Sequence, residues 1–362
     1  MLADILAAAT PSVIPAAVAV IAVDGQVADA AAAGELVRYT DPDGTLATTR
    51  PPARRDSVFD LASVSKLFTT AVVLSLVSRG RLDLDAPVAT WLPDHYGDRT
   101  HITLRHLLTH TAGLQPTHRV DDVPPADRLD TILATPITSP VGGPYLYTDV
   151  GMITVGRIAE VAGGAPLDTL VRDLVTTPLG LPDTGYRRLG PPLSATDPAR
   201  TSSDPARGST DLARGATDLA RIAKTECHRA IGEVHDETAH SLGGVAGHAG
   251  VFSTADDLVR FGEALRLGRL PLTDQMTREH PVEGAAFRHG LGVRIGDPGI
   301  VGPLADAYGH SGFTGTSLIV DQAHKLTVVL LTNAVHPVRG RPGIRELRNA
   351  VAAEALRIVS RP

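Results

Sequence analysis

The chain has 362 residues, 43% of them hydrophobic and 20% charged, with a formal net charge of -6 at neutral pH. That length buries a large core in one big domain or two lobes, the acidic balance leaves no basic footprint for nucleic acid, and the single cysteine, Cys227, excludes an internal disulfide and a thiolate-rich metal centre. The N-terminal stretch carries Asp4 and no basic region, so it does not read as a secretory signal, and no uncharged run reaches membrane-spanning length, which together predict a cytoplasmic protein with no membrane partner.

After an opening helix, residues 15–23 and 27–38 read as two strands joined by Asp24-Gly25, a hairpin signal. Residues 50–62 lead into Ser63-Val64-Ser65-Lys66 and the apolar run 67–77, a buried helix that should end near Gly80, where glycine accepts the left-handed cap. Residues 82–225 look mostly α-helical, with many loops and prolines. Within them, 194–221 hold four near-copies of a seven-residue unit (such as Thr201-Ser202-Ser203-Asp204-Pro205-Ala206-Arg207). The copies lack the two apolar positions of a coiled-coil seam and read as an expanded polar loop. Strand signals return at 290–295, 316–321 and 326–332, the last two as a hairpin, and a helix follows at 343–359. The pattern divides into 1–81, 82–225 and 226–362: an α/β (α+β) fold whose antiparallel sheet is built from both ends of the chain, flanked by helices, with an inserted helical region.

Ser63 and Lys66 are three apart and share one helix face, so the amine lies over the hydroxyl. A serine needs such help to act as a nucleophile. Tyr147 follows a glycine- and proline-rich loop, and beside Lys66, whose ammonium stabilises the phenolate, that anion can accept the serine proton. His310-Ser311-Gly312-Phe313 precedes a strand, and its glycine allows a ligand to approach backbone N–H groups that face a developing oxyanion. Each motif taken alone has a plainer alternative: a helix cap with a solvated lysine, a core tyrosine, a turn entering a strand. His106 and His110 have the spacing of a helical metal pair, but leucines flank them and no H-E-x-x-H pattern accompanies them. The stretch Glu233–His240, with His248 and Cys227, is rich in ligand types, and metal is the minority reading there.

In the order Ser63-x-x-Lys66, Tyr147-x-Asp149, His310-x-Gly312, the chain resembles the serine β-lactamase and penicillin-binding-protein superfamily. The likeness is closest to class C β-lactamases, their esterase relatives and D-aminopeptidase-type enzymes. The stretches 104–114, 247–258 and 309–317 are similar as well, and the resemblance covers about residues 10–355 apart from the repeat. It implies a β-lactamase/transpeptidase-like fold and a Ser63 acyl-enzyme. Lys66 would be the proton partner, Tyr147 the general base, and the N–H groups of Ser63 and Phe313 the oxyanion hole. Asp149, His310, Ser311 and Gly312 would contact substrate, with no cofactor and no metal.

Two positions depart from the class C pattern. Asp149 stands where asparagine is usual, and an ionised carboxylate only accepts hydrogen bonds. His310 stands where a lysine is usual, which weakens the anchor for a β-lactam carboxylate. Both departures, with the absent leader, point to acyl transfer from an ester or amide of a small intracellular metabolite. The acceptor is water in an esterase or amidase, and an amine or alcohol in a transacylase of secondary metabolism. A true β-lactamase, a D-Ala-D-Ala carboxypeptidase or a catalytically silent sensor fits the departures less well. Oligomeric state is not legible.

Overall fold

The structure, a computed structural model, describes residues 1–189 and 219–360, so most of the seven-residue repeat lies outside the described residues. The elements that position the site are, in chain order, helix α1 (Leu2–Ala9), strands β1 (Ala16–Val23), β2 (Gln26–Gly34) and β3 (Phe59–Asp60), helices α2 (Ser65–Ser78) and α3 (Asp149–Gly163), and strands β4 (Gly185–Tyr186) and β5 (Val251–Ser253). Helix α4 (Ala255–Arg266) then precedes strands β6 (Arg288–His289), β7 (Arg294–Ile295), β8 (Tyr308–Ser311), β9 (Ser317–Asp321) and β10 (Leu326–Thr332), and helix α5 (Ile344–Val359) follows.

Seven strands form one antiparallel sheet in the order β2-β1-β10-β9-β8-β7-β6, so the two ends of the chain do meet in its centre, where Val20 lies opposite Val329. A small second sheet, β3-β5-β4, braces the segment just before Ser63. Strand β1 is apolar throughout because both of its faces are covered. Ala16, Val18 and Val20 join the core with α2, whereas Ala17, Ala19 and Ile21 pack with α1 and α5. The β1–β2 turn has positive φ at Asp24 (49°) and Gly25 (78°), as a two-residue hairpin matched to strand twist requires.

Helix α2 is buried from Ser65 to Leu76 and sits between the large sheet and the helical region. A helix apolar on every side has nowhere else to go. Its Phe68 ring stacks on Phe261 of α4 with centroids 4.1 Å apart. It closes as the sequence predicts, with Gly80 at φ 66° and the Arg81 N–H donating to the Leu76 carbonyl.

Three elements differ from expectation. Strand β2 stops at Gly34, four residues early, because its backbone runs so close to Pro15 that a Cβ would lie 1.9 Å from the Pro15 oxygen. The strand expected at 290–295 is reduced to β7, since Gly292 has φ 64° and turns the chain between β6 and β7. Among its described residues, the central region holds the long helix α3 and shorter helical segments. Among the described residues, no helix is long and apolar enough to cross a membrane.

Candidate active site

Ser63 lies in a single 3-10 turn, Ala62–Val64, that leads directly into α2. Ala62 carries a positive φ of 46°, a conformation unfavourable for a residue with a Cβ. Asp60 holds that conformation: its Oδ1 accepts the Ala62 N–H at 2.8 Å. One turn later, Lys66 is completely buried, and its ammonium makes three contacts, to Ser63 Oγ (2.9 Å), Asp149 Oδ1 (2.7 Å) and the His248 carbonyl (3.2 Å). An ammonium has three protons, so all are committed. Burial opposes the charge, but Asp149 and Tyr147 outweigh it and hold the Lys66 pKa above the ordinary lysine value.

Tyr147 and Asp149 arrive together at the start of α3. The Thr148 side chain caps that helix by accepting the Gly151 N–H at 3.1 Å, and donates to the Gln115 carbonyl at 2.7 Å. Asp149 N–H donates to the Pro116 carbonyl, and Leu146 N–H to the His110 carbonyl. The tyrosine ring faces two cations, with Lys66 Nζ 4.9 Å and the Arg294 guanidinium carbon 4.8 Å from its centroid.

The third motif is not a turn entering a strand. His310 and Ser311 end β8, and the reversal is 312–316, between β8 and β9. That reversal is fastened to the chain just before Ser63: Thr316 Oγ1 donates to the Leu61 carbonyl at 3.0 Å and Thr314 Oγ1 to the Asp60 carbonyl at 2.8 Å. A Cβ on Gly312 would lie 2.3 Å from the Leu61 oxygen, so only glycine permits the approach. The reversal that carries Phe313 is thereby tied to Asp60 and Leu61, just ahead of Ser63, while the Phe313 side chain is 62% exposed. His310 is buried, and burial with the nearby Arg294 and Lys66 holds it neutral, well below the ordinary histidine range. Its Nδ1 donates to the Ser311 carbonyl at 2.8 Å.

Two further residues pack against Tyr147, neither of them assigned a role there from the sequence. Arg294, on β7, packs over both Tyr147 and Phe287 and pairs with Asp297 at 3.1 Å, while its Nε is buried without a partner. It supplies a positive charge near the third motif, where His310 itself is neutral. His110 is not half of a metal pair: it lies beyond the short helix Leu104–Leu108 with φ 57°, accepts the Thr148 N–H at Nδ1 (3.2 Å), and packs 4.7 Å from the Tyr147 ring. His106 instead caps its own helix through Thr103. Asp149, Asp236 and His248 offer ligand-type atoms within 4.8 Å of one another, but Asp149 is already paired with Lys66 and Asp236 with His248 (2.7 Å).

The Beta-lactamase family model matches residues 5–353. The chain is 31% identical to the N-acetylmuramyl-L-alanine amidase of Bacillus subtilis, over 89% of this chain and 78% of that protein. It is 32% identical to esterase EstB of Burkholderia gladioli, over 83% of this chain and 84% of the esterase. In fold it is similar to EstCE1, a hydrolase with promiscuous acyltransferase activity, with a TM-score of 0.67, 24% identity, and 96% and 97% of the two chains covered.

Proposed function

The chain belongs to the Beta-lactamase family, and from that premise we propose that it is a serine acyl hydrolase that forms an ester on Ser63 from a small ester or amide and releases the acyl group to water. The observation that carries the proposal is the Lys66 ammonium, buried and bonded to Ser63 Oγ at 2.9 Å and to Asp149 at 2.7 Å. Because Lys66 is charged and donating to the hydroxyl, it stabilises negative charge on Oγ as the C–O bond forms. The serine proton passes to Tyr147 acting as its phenolate, flanked by Lys66 and Arg294, and from the phenol so formed to the leaving group. The N–H groups of Ser63 and Phe313 are the oxyanion donors, supported by the fastening of the 312–316 reversal to Asp60 and Leu61. Water then attacks the acyl-enzyme with Tyr147 as base.

Transfer to an amine or alcohol is a second reading, favoured by the exposed Phe313 ring on the reversal fastened to Asp60 and Leu61, which offers an organic acceptor an apolar surface. Both readings are tested with p-nitrophenyl esters and amides in the presence and absence of added alcohols, and with a fluorophosphonate followed by intact mass. No turnover and no adduct at Ser63 would remove the acyl-enzyme. Ester product exceeding free acid at low alcohol concentration would establish transfer.

A further inference from the structure

The stretch Glu233–His240 stood out in the sequence as an acid- and histidine-rich segment, and the acyl-transfer chemistry leaves it unused. In the structure it grips the catalytic turn at two points. His235 N–H donates to Asp60 Oδ2 at 2.7 Å, and the other oxygen of that buried carboxylate holds Ala62, the strained residue before Ser63. The next residue, Asp236, caps the short helix Glu237–Ser241 through the Ala239 N–H (2.8 Å) and bonds His248 Nε2 at 2.7 Å. His248 is itself buried, and its backbone carbonyl is the third acceptor of the Lys66 ammonium. The contacts run from Asp60 through residues 235, 236 and 248 to Lys66, closing a ring around the segment that carries the nucleophile.

The turn that presents this carbonyl has no slack. A Cβ on Gly247 would lie 2.0 Å from the Met152 oxygen, and one on Gly250, at φ 115°, 2.4 Å from the Gly244 oxygen. Val251 N–H donates to Ser65 Oγ at 3.1 Å and the Leu61 N–H to the Val251 carbonyl at 2.9 Å, tying the same strand to both sides of Ser63. His248 Nδ1 is buried without a hydrogen-bond partner, a cost that a pair serving packing alone has no reason to carry.

We infer that Asp236 and His248 are a positioning pair for Lys66. Asp236 fixes the His248 ring and hence the carbonyl that orients the ammonium, and its carboxylate adds a second negative charge to that of Asp149. The assignment rests on the Ser63 acyl-enzyme reading for its catalytic consequence, and on geometry alone for its effect on Lys66. The charged and titratable groups around that amine are Asp149, Tyr147, Asp236, His248, Arg294 and the neutral His110 and His310. Burial works against the Asp236 charge, but His248 and the Ala239 N–H prevail and keep the carboxyl well below its ordinary range.

The chain has only three lysines, Lys66, Lys224 and Lys325, so protein labelled with 13C at lysine Cε gives three resolvable NMR signals, two of them internal controls. Asp236→Asn keeps the cap acceptor and removes only the charge. In the substrate-free protein, its Lys66 signal should titrate at lower pH than in the wild type, while those of Lys224 and Lys325 stay in place. Turnover of a p-nitrophenyl ester should fall about 10–100-fold in kcat, the size typical of orienting partners, with KM little changed. His248→Ala should do the same, and His248→Asn, which can still donate to Asp236, should recover part of the loss. An unmoved Lys66 titration with unchanged kcat, in variants that melt at lower temperature, would reduce the pair to a packing role and overturn the inference. Zn2+ binding by the wild type that both variants abolish would assign Asp149, Asp236 and His248 to a metal and overturn it too. If Asp236→Asn does not fold, the His248 variants carry the same measurement. Failure of the acyl-enzyme reading shows separately, as a wild type without turnover whose Lys66 titration still responds to Asp236.

Discussion

With acceptors at 2.7, 2.9 and 3.2 Å, the Lys66 ammonium has no lone pair to offer the serine, and its raised pKa keeps it so at neutral pH. The pairing with Asp149 sets that role, since a carboxylate in contact favours the charged form. Ser63→Ala should abolish ester turnover and phosphonate labelling with the fold retained by circular dichroism. Tyr147→Phe should lower kcat by about 10²–10⁴, the usual weight of a general base; near-normal rates would move that role elsewhere. Arg294→Ala should raise KM about tenfold for acyl donors bearing a carboxylate, the loss of one charge-assisted contact, and leave neutral esters little affected. Equal loss on both substrate types would mean that Arg294 only braces Tyr147.

The elements that carry these side chains were legible to different degrees. Strands β1 and β10, helices α2 and α5, and the Asp24-Gly25 turn follow from apolar runs and turn chemistry that local sequence states outright. The candidate catalytic residues Ser63, Lys66 and Tyr147 were legible because their motifs are short and ordered, and the structure brings them together. His110, Arg294 and the Asp236–His248 pair were not, because their meaning lies in contacts across long separations. His110 reads as a helix residue until the left-handed turn beyond Leu108 aims it at Tyr147. The glycines at 290 and 292 read as strand spacers, yet they shorten β7 and leave Arg294 at the site. The reversal after β8 is a sharp test of this level of organisation. Gly312→Ala would drive a Cβ to within 2.2 Å of Thr316 Oγ1 and push Phe313 away from Ser63. We expect at least the roughly 10²-fold loss in kcat that follows from removing one oxyanion donor, measured against a phosphonate labelling rate that should fall in parallel.

Across the molecule, buried histidines set the response to acid. Burial depresses His110 and His310 well below 6.5 and takes His289 and His336 down to about 4. Between those values the unfolded chain binds more protons than the folded one, so their contribution is full above pH 6.5 and is lost as pH falls toward 4. Thermal melts from pH 8 to 4 should show a melting temperature that drops below pH 6.5; a flat profile down to pH 4.5 would contradict neutral burial of this set. The pairing of β1 with β10 has a consequence of another kind, in time. Val20 and Val329 are about 300 residues apart, and such non-local contacts must be closed against a large loop entropy before they return any stability. On the ribosome, the β1–β2 hairpin therefore emerges with its partner strand still unmade, and the reversal at 312–316 that fastens to Leu61 is also synthesised long after it. The enzyme cannot be partly active on the way to its native state, and a nascent chain waits with an all-apolar strand exposed, which makes chaperone dependence during synthesis the expected behaviour of this topology.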